Sequence, residues 1–130
     1  MLGDRRLPQQ WPKLGWHSAG QSADDLYEFA KRADVGISGV RAVLAETGSV
    51  IIDSGANKSR MTSLLPPLHI ALIPRHKIVA DIFTWTAARS GELPTNLVLI
   101  SGPSKSADIG MTLTTGVHGP GRIVAIVYDE

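Results

Sequence analysis

No cysteine occurs among the 130 residues of the chain. That excludes disulfides, and it excludes iron–sulfur or zinc centres held by this chain's own thiolates. Clustered positive charge is missing too. Thirteen lysines and arginines face twelve aspartates and glutamates, for a formal net charge of +1, and no basic block stands out. Binding to a phosphate backbone draws on grouped Lys and Arg, so a nucleic-acid surface is not indicated. No apolar run approaches the roughly 20 residues of a membrane-spanning helix. The opening Met-Leu-Gly-Asp-Arg-Arg-Leu-Pro has no apolar centre of the kind a signal peptide needs. The expectation is a soluble, cytoplasmic protein. Repeats, low-complexity tracts, a Walker loop, a dinucleotide fingerprint and a Gly-x-Ser-x-Gly elbow are all absent.

What is present fits one domain, of a size that buries roughly two thirds of its unfolded surface. Residues 1–21 read as an N-terminal tail, with Pro8, Pro12, Gln9, Gln10 and three glycines. Trp11 and Trp16 are conspicuous there. They either lie over the domain surface or anchor a partner. The domain is expected over 22–130. Ser22 can cap a first helix, with Asp24 and Asp25 in its first turn and Leu26, Phe29, Ala30 and Ala33 on one face. Val35-Gly36-Ile37 suggests a short strand. Ser38 can cap a second short helix with Val40, Val43 and Leu44 on its apolar side. Residues 49–53, 68–73, 97–100 and 123–127 read as strands; 97–100 reads as buried, and 68–73 is apolar enough for burial on both faces. The strongest predicted helix covers 77–90, stopped by Gly91. A weaker one covers 108–115. Strands rich in Val, Ile and Leu that alternate with helices imply an α/β fold. The form expected is a three-layer, open, mostly parallel sheet flanked by helices.

The candidate site is the stretch 101–122. Ligands of open α/β sheets sit beyond the carboxyl ends of strands, and this polar, glycine-rich stretch follows one. Gly102 allows close backbone approach. Ser104 and Ser106 offer hydroxyls, and Lys105 offers a positive charge. A helix starting near Ala107 would aim free N–H groups back at this loop and make it an anion site. The alternative is an ordinary capped turn, with Ser104 or Ser106 as the cap and Asp108 favouring the helix dipole. His118 lies between Gly116 and Gly119, with Arg122 behind it. It either moves a proton, holds an anion, or bonds a backbone carbonyl. Glu46-Thr47-Gly48 is the second candidate. Glu46 either is partly desolvated, as a base or nucleophile, or points to solvent. Asp53, before Ser54-Gly55, is a lesser candidate of the same kind. His69 reads as a satisfied core residue. His17, His69, His76 and His118 show no metal-ligand spacing, so no protein-bound metal is expected.

In order and spacing, several segments resemble the LUD-domain family. They are Val35-Gly36-Ile37-Ser38, Ala45-Glu46-Thr47-Gly48-Ser49-Val50, Ser63-Leu64-Leu65-Pro66-Pro67-Leu68-His69-Ile70, Ser101-Gly102-Pro103-Ser104-Lys105-Ser106-Ala107-Asp108-Ile109 and Gly116-Val117-His118-Gly119-Pro120. The resemblance implies a fold like that of ribose-phosphate isomerase, glucosamine-phosphate isomerase and CoA transferases. It also implies an accessory, non-redox role in oxidising L-lactate to pyruvate beside iron–sulfur partner proteins. Any clusters would then belong to the partners and no cofactor to this chain. Glu46-Thr47-Gly48 is similar to the Glu-x-Gly of CoA transferases, whose glutamate is the nucleophile, which is an analogy across a fold. Family members usually carry a longer N-terminal portion with more helix and more sheet. The chain therefore reads as a shortened relative, whose open sheet edge would favour a homo-oligomer. The alternatives are a stand-alone enzyme or binder of a phosphorylated sugar, CoA thioester or small carboxylate, and a structural remnant without catalysis.

Overall fold

A computed structural model describes residues 9–18, 23–55, 58–91, 94–102, 105–107, 113–115 and 119–129. The apolar run at 68–73 forms the centre of a parallel sheet. Strand β4 (Leu68–Pro74) lies between β1 (Val35–Gly39) and β9 (Arg122–Tyr128). Ile37 stands opposite Ile70, and Ile70 opposite Val124. Side chains alternate across a strand. His69, Ala71 and Ile73 are accordingly buried on one face of β4, and Leu68, Ile70 and Leu72 are half-buried on the other.

A second, mixed sheet packs against this one. Strands β2 (Ala42–Leu44) and β3 (Ser49–Ser54) form an antiparallel hairpin. β6 (Asn96–Ile100) runs antiparallel to β3, and the two-residue β5 (Ile78–Val79) runs parallel to β2. Val40, Val43, Val50, Ile52, Ala71 and Ile73 form the buried cluster between the two sheets. Helix α3 (Ile82–Ala88) covers the outer side of the mixed sheet. There Ile82 and Trp85 pack on Ala42, Leu44 and Ile51. Helix α1 (Ala23–Arg32) contacts the short α2 (Met61–Leu64), which packs on β1 and β4. Gly36 explains that close packing, because a Cβ there would lie 1.8 Å from the Thr62 carbonyl oxygen. The α/β class and the parallel sheet flanked by helices agree with the sequence.

Several local expectations are corrected. The helix expected after Ser38 is instead the end of β1, a bend and β2. Val40 and Val43 are β-branched and suit the pleated sheet, where Ala42, Val43 and Leu44 are all buried. The helix expected over 77–90 is shorter. Arg75–Lys77 form a 3₁₀ turn, Ile78 and Val79 join β2, and Asp81 caps α3 by accepting the Thr84 N–H at 2.6 Å. The segment 97–100 is not fully buried. Among the described residues it forms an edge strand with only β3 beside it, and Leu99 is 46% exposed. Leu113–Thr115 form a strand, β8, paired antiparallel with β7 (Lys105–Ala107). No helix therefore includes residues 113–115, where β-branched threonines favour extended backbone. Residues 108–112, and the cap expected at Ser22, lie outside the described residues.

Candidate functional site

The turn of the β2–β3 hairpin carries Glu46, Thr47 and Gly48. Gly48 has φ +66°, a left-handed conformation that glycine adopts without a Cβ penalty. Two backbone bonds fix the turn to the start of the α3 segment. Ala45 N–H donates to the Val79 carbonyl at 2.8 Å, and Glu46 N–H donates to the Ala80 carbonyl at 2.9 Å. The Glu46 side chain is exposed, so burial does not desolvate it here.

The next residue, Ser49, is buried and joins two parts of the chain. Its hydroxyl lies 2.6 Å from the Thr47 hydroxyl and 2.7 Å from that of Ser101. Thr47, Ser49 and Ser101 thus form a hydroxyl chain between the hairpin turn and the carboxyl end of β6. The antiparallel register that sets Val50 opposite Ile100 brings these ends together. Gly102 follows with φ +101°. Sequence reasoning put Thr47, Gly48 and Gly102 in two separate candidate segments. It missed Ser49 as their link, although a serine just before the apolar Val50-Ile51-Ile52 run was the available signal.

The other sequence-predicted residues are placed less compactly. Lys105 and Ser106 stand in β7, opposite Thr115 and Thr114. A strand occupies 105–107, so no helix begins within those three residues. Gly119 is half-buried just before β9. Arg122 opens β9, and its N–H donates to the Pro67 carbonyl at 3.3 Å. Both belong to the amino end of β9 in the parallel sheet, whereas Ser101 ends a strand of the mixed sheet. Ser104, Asp108 and His118 lie outside the described residues.

His69 is 1% exposed. Its Nε2 lies 2.8 Å from the Ser38 hydroxyl, while Nδ1 is buried with no hydrogen-bond partner among the described residues. The expectation of a satisfied core histidine holds for one ring nitrogen only. Burial lowers the His69 pKa, because desolvation penalises the imidazolium. His17 stacks on Phe29 at a centroid distance of 4.8 Å. Among the described residues no three His, Asp or Glu side chains gather as a metal site would require.

Asp53, next to last in β3, accepts from Lys58 Nζ at 2.9 Å and from Arg41 Nη1 at 3.5 Å. Burial pushes its pKa upward. The Lys58 hydrogen bond and charge, a backbone N–H and Arg41 outweigh that effect and hold the carboxyl below its usual range. Asp53 is thus tied into an ionic cluster and kept charged.

The family model described as the LUD domain matches residues 9–128. The lactate utilization protein C of Halalkalibacterium halodurans is 44% identical over 120 residues, covering 88% of this chain and 51% of that protein. That of Bacillus subtilis strain 168 is 35% identical over 133 residues, covering 95% of this chain and 55% of that protein. The chain spans about half the length of the curated relatives it matches. Among solved structures, a DUF162 family protein from Deinococcus radiodurans superposes with a TM-score of 0.50 at 25% identity. The match covers 75% of this chain and 55% of that one. No helix among the described residues is long and apolar enough to cross a membrane.

Proposed function

The chain belongs to the LUD-domain family, and on that premise we propose that it serves L-lactate utilisation as an accessory, non-redox subunit. Iron–sulfur partner proteins carry the electrons released when L-lactate is oxidised to pyruvate. The observation that carries this reading is the family match over residues 9–128, with relatives named lactate utilization protein C at up to 44% identity among those described above. The lack of cysteine supports the division of labour, since the chain has no thiolate with which to hold a cluster of its own. The role of the chain is then to bind and present rather than to transfer electrons. Deleting its gene is expected to abolish or slow growth on L-lactate while sparing growth on glucose. An affinity-tagged copy is expected to recover iron–sulfur proteins. Normal growth on L-lactate, with no iron–sulfur protein recovered, would overturn the reading.

A second reading is favoured by the hydroxyl chain Thr47–Ser49–Ser101, with the positive-φ glycines Gly48 and Gly102 beside it. Hydroxyls and unshielded backbone N–H groups suit a small oxyanion, such as a phosphorylated sugar, a CoA thioester or a carboxylate. Here Glu46 is the candidate nucleophile. Thr47, Gly48, Gly102, Ser104, Lys105, Ser106, Asp108, His118, Gly119 and Arg122 are the candidate ligand-binding residues. A thermal-shift screen with these three compound classes tests it, and absence of stabilisation by all of them counts against it.

A further inference from the structure

The end of the β2–β3 hairpin opposite the Glu46–Gly48 turn is where positive charge collects. Arg41 precedes β2 there, and Asp53 and Lys58 stand close by. Asp53 is already served by Lys58 at 2.9 Å, so its 3.5 Å contact with Arg41 sits at the outer limit of a hydrogen bond. Arg89 adds a second guanidinium just after α3. It stands 5.8 Å from the centroid of the Trp85 ring, within cation–π range. Trp85 is held in turn by the core cluster of Ala42, Leu44 and Ile51. Arg89 Nη1 is buried and has no hydrogen-bond partner among the described residues. Buried polar groups almost always find an acceptor, and a charged one has the most to gain from doing so. Arg41, Trp85, Ala88, Arg89 and Ser90 together line an open cavity of about 260 Å³.

We propose that this cavity is an oxyanion-binding site, in which Arg41 and Arg89 grip a carboxylate or phosphate group against the Trp85 ring. A guanidinium presents N–H groups in a fixed fork that matches both oxyanions, and the Ser90 hydroxyl supplies a further donor. The cavity is small, so the ligand is a small acid or a phosphate group rather than a large cofactor. Arg41 is steadied by Asp53 and Arg89 by Trp85, so less side-chain entropy is lost when the anion arrives. The site is separate from the hydroxyl chain at Ser49, and it does not depend on a role in lactate utilisation. A growth phenotype and an occupied arginine site can succeed or fail independently.

The test is calorimetric titration of the full chain with inorganic phosphate, L-lactate and pyruvate, each at constant ionic strength. Saturable binding of at least one is expected, weakened at least tenfold by Arg41→Gln and by Arg89→Gln. Arg89→Lys keeps the charge but loses the fork, and is expected to fall between Arg89→Gln and the parent. Phosphate binding alone points to a phosphorylated ligand, and binding of the two acids to a carboxylate. Arg89 Nη1 has no hydrogen-bond partner among the described residues, so Arg89→Gln is expected to fold even if Arg41→Gln does not. Circular dichroism checks this. No saturable binding of any of the three, or full affinity in folded Arg89→Gln, overturns the proposal.

Discussion

Replacing Gly36 with alanine is a severe test of how α2 rests on the parallel sheet. The new Cβ would stand 1.8 Å from the Thr62 carbonyl oxygen and 3.1 Å from Cγ of Pro66. Carbon and carbonyl oxygen ordinarily approach to roughly 3.3 Å, so strand and helix must part by about 1.5 Å. The obstacle is backbone, in a helix that packs on β1 and β4, and it has no rotamer to change. Forcing volume into a packed site costs about 1–3 kcal/mol, and a backbone clash belongs at the upper end. Gly39 lies on the same strand and is the control, because a Cβ there meets nothing within 4 Å. Neither glycine has a positive φ, so backbone conformation does not separate them. Gly39→Ala is expected to be neutral or stabilising by up to about 1 kcal/mol, through the unfolded chain. The two variants should thus differ by about 3 kcal/mol in urea unfolding. That is roughly 12 °C in Tm, at about 4 °C per kcal/mol for a domain of this size. Equal stability of Gly36→Ala and Gly39→Ala would refute the packing of α2 on β1.

Four further outcomes follow from the polar groups. Ser38→Ala removes the hydrogen-bonding partner of the buried His69 ring and should cost about 2 kcal/mol in urea unfolding; an unchanged midpoint would count against the pair. The unfolded His69 imidazole titrates near 6.5 and the folded one lower, so the unfolded chain takes up the proton first. Stability that is full above that pH should decline as pH falls toward the folded value, and unfolding midpoints between pH 8 and 5 check this. Asp53 acts in a more acidic window. Its folded pKa lies below the ordinary 3.8, so its contribution is present above that pH and is lost as pH falls through the folded value. Asp53→Asn should flatten that acid limb in melts at pH 2 to 5, and should cost about 1 kcal/mol at neutral pH. Ser49→Ala breaks the link between Thr47 and Ser101 and should cost about 1 kcal/mol. It should also speed amide exchange at residues 47–49 and 101–102, and unchanged exchange there would argue against the hydroxyl chain.

The strands were legible where the pattern was strong. The run at 68–73 has no alternative to a buried strand, and 49–53 and 123–127 fall within a residue or two of the observed elements. The failures came where two tendencies competed. Val40, Val43 and Leu44 satisfy a helical spacing and a strand equally well over so short a span, and pairing with β3 decided for the strand. Ile78 and Val79 continue the helical period of α3, yet the Asp81 cap and the place beside β2 divide them from it. The threonines at 114 and 115 already argued against a helix, and β8 agrees with them. At the candidate site, the residue types were legible but the register was not. Only the pairing of β3 with β6 shows that Ser49 meets Ser101. The Arg41, Trp85 and Arg89 grouping left no local signature, because the β2–β3 hairpin and α3 bring together residues far apart in sequence.

The parallel sheet also has a consequence in time. β4 pairs on one side with β1, which precedes it closely, and on the other with β9, the last strand described. During synthesis, β4 and its apolar residues leave the ribosome well before the strand that flanks them exists. Contacts of such long sequence separation form late and slowly. Until β9 docks, one margin of β4 offers unpaired backbone groups to any extended chain nearby. Docking does not end the exposure, for Val124, Ile126 and Val127 remain 38%, 44% and 49% exposed. The yield of native protein should therefore depend on chain concentration and on chaperones that shield nascent strands, with dilute, cool expression favouring the folded state.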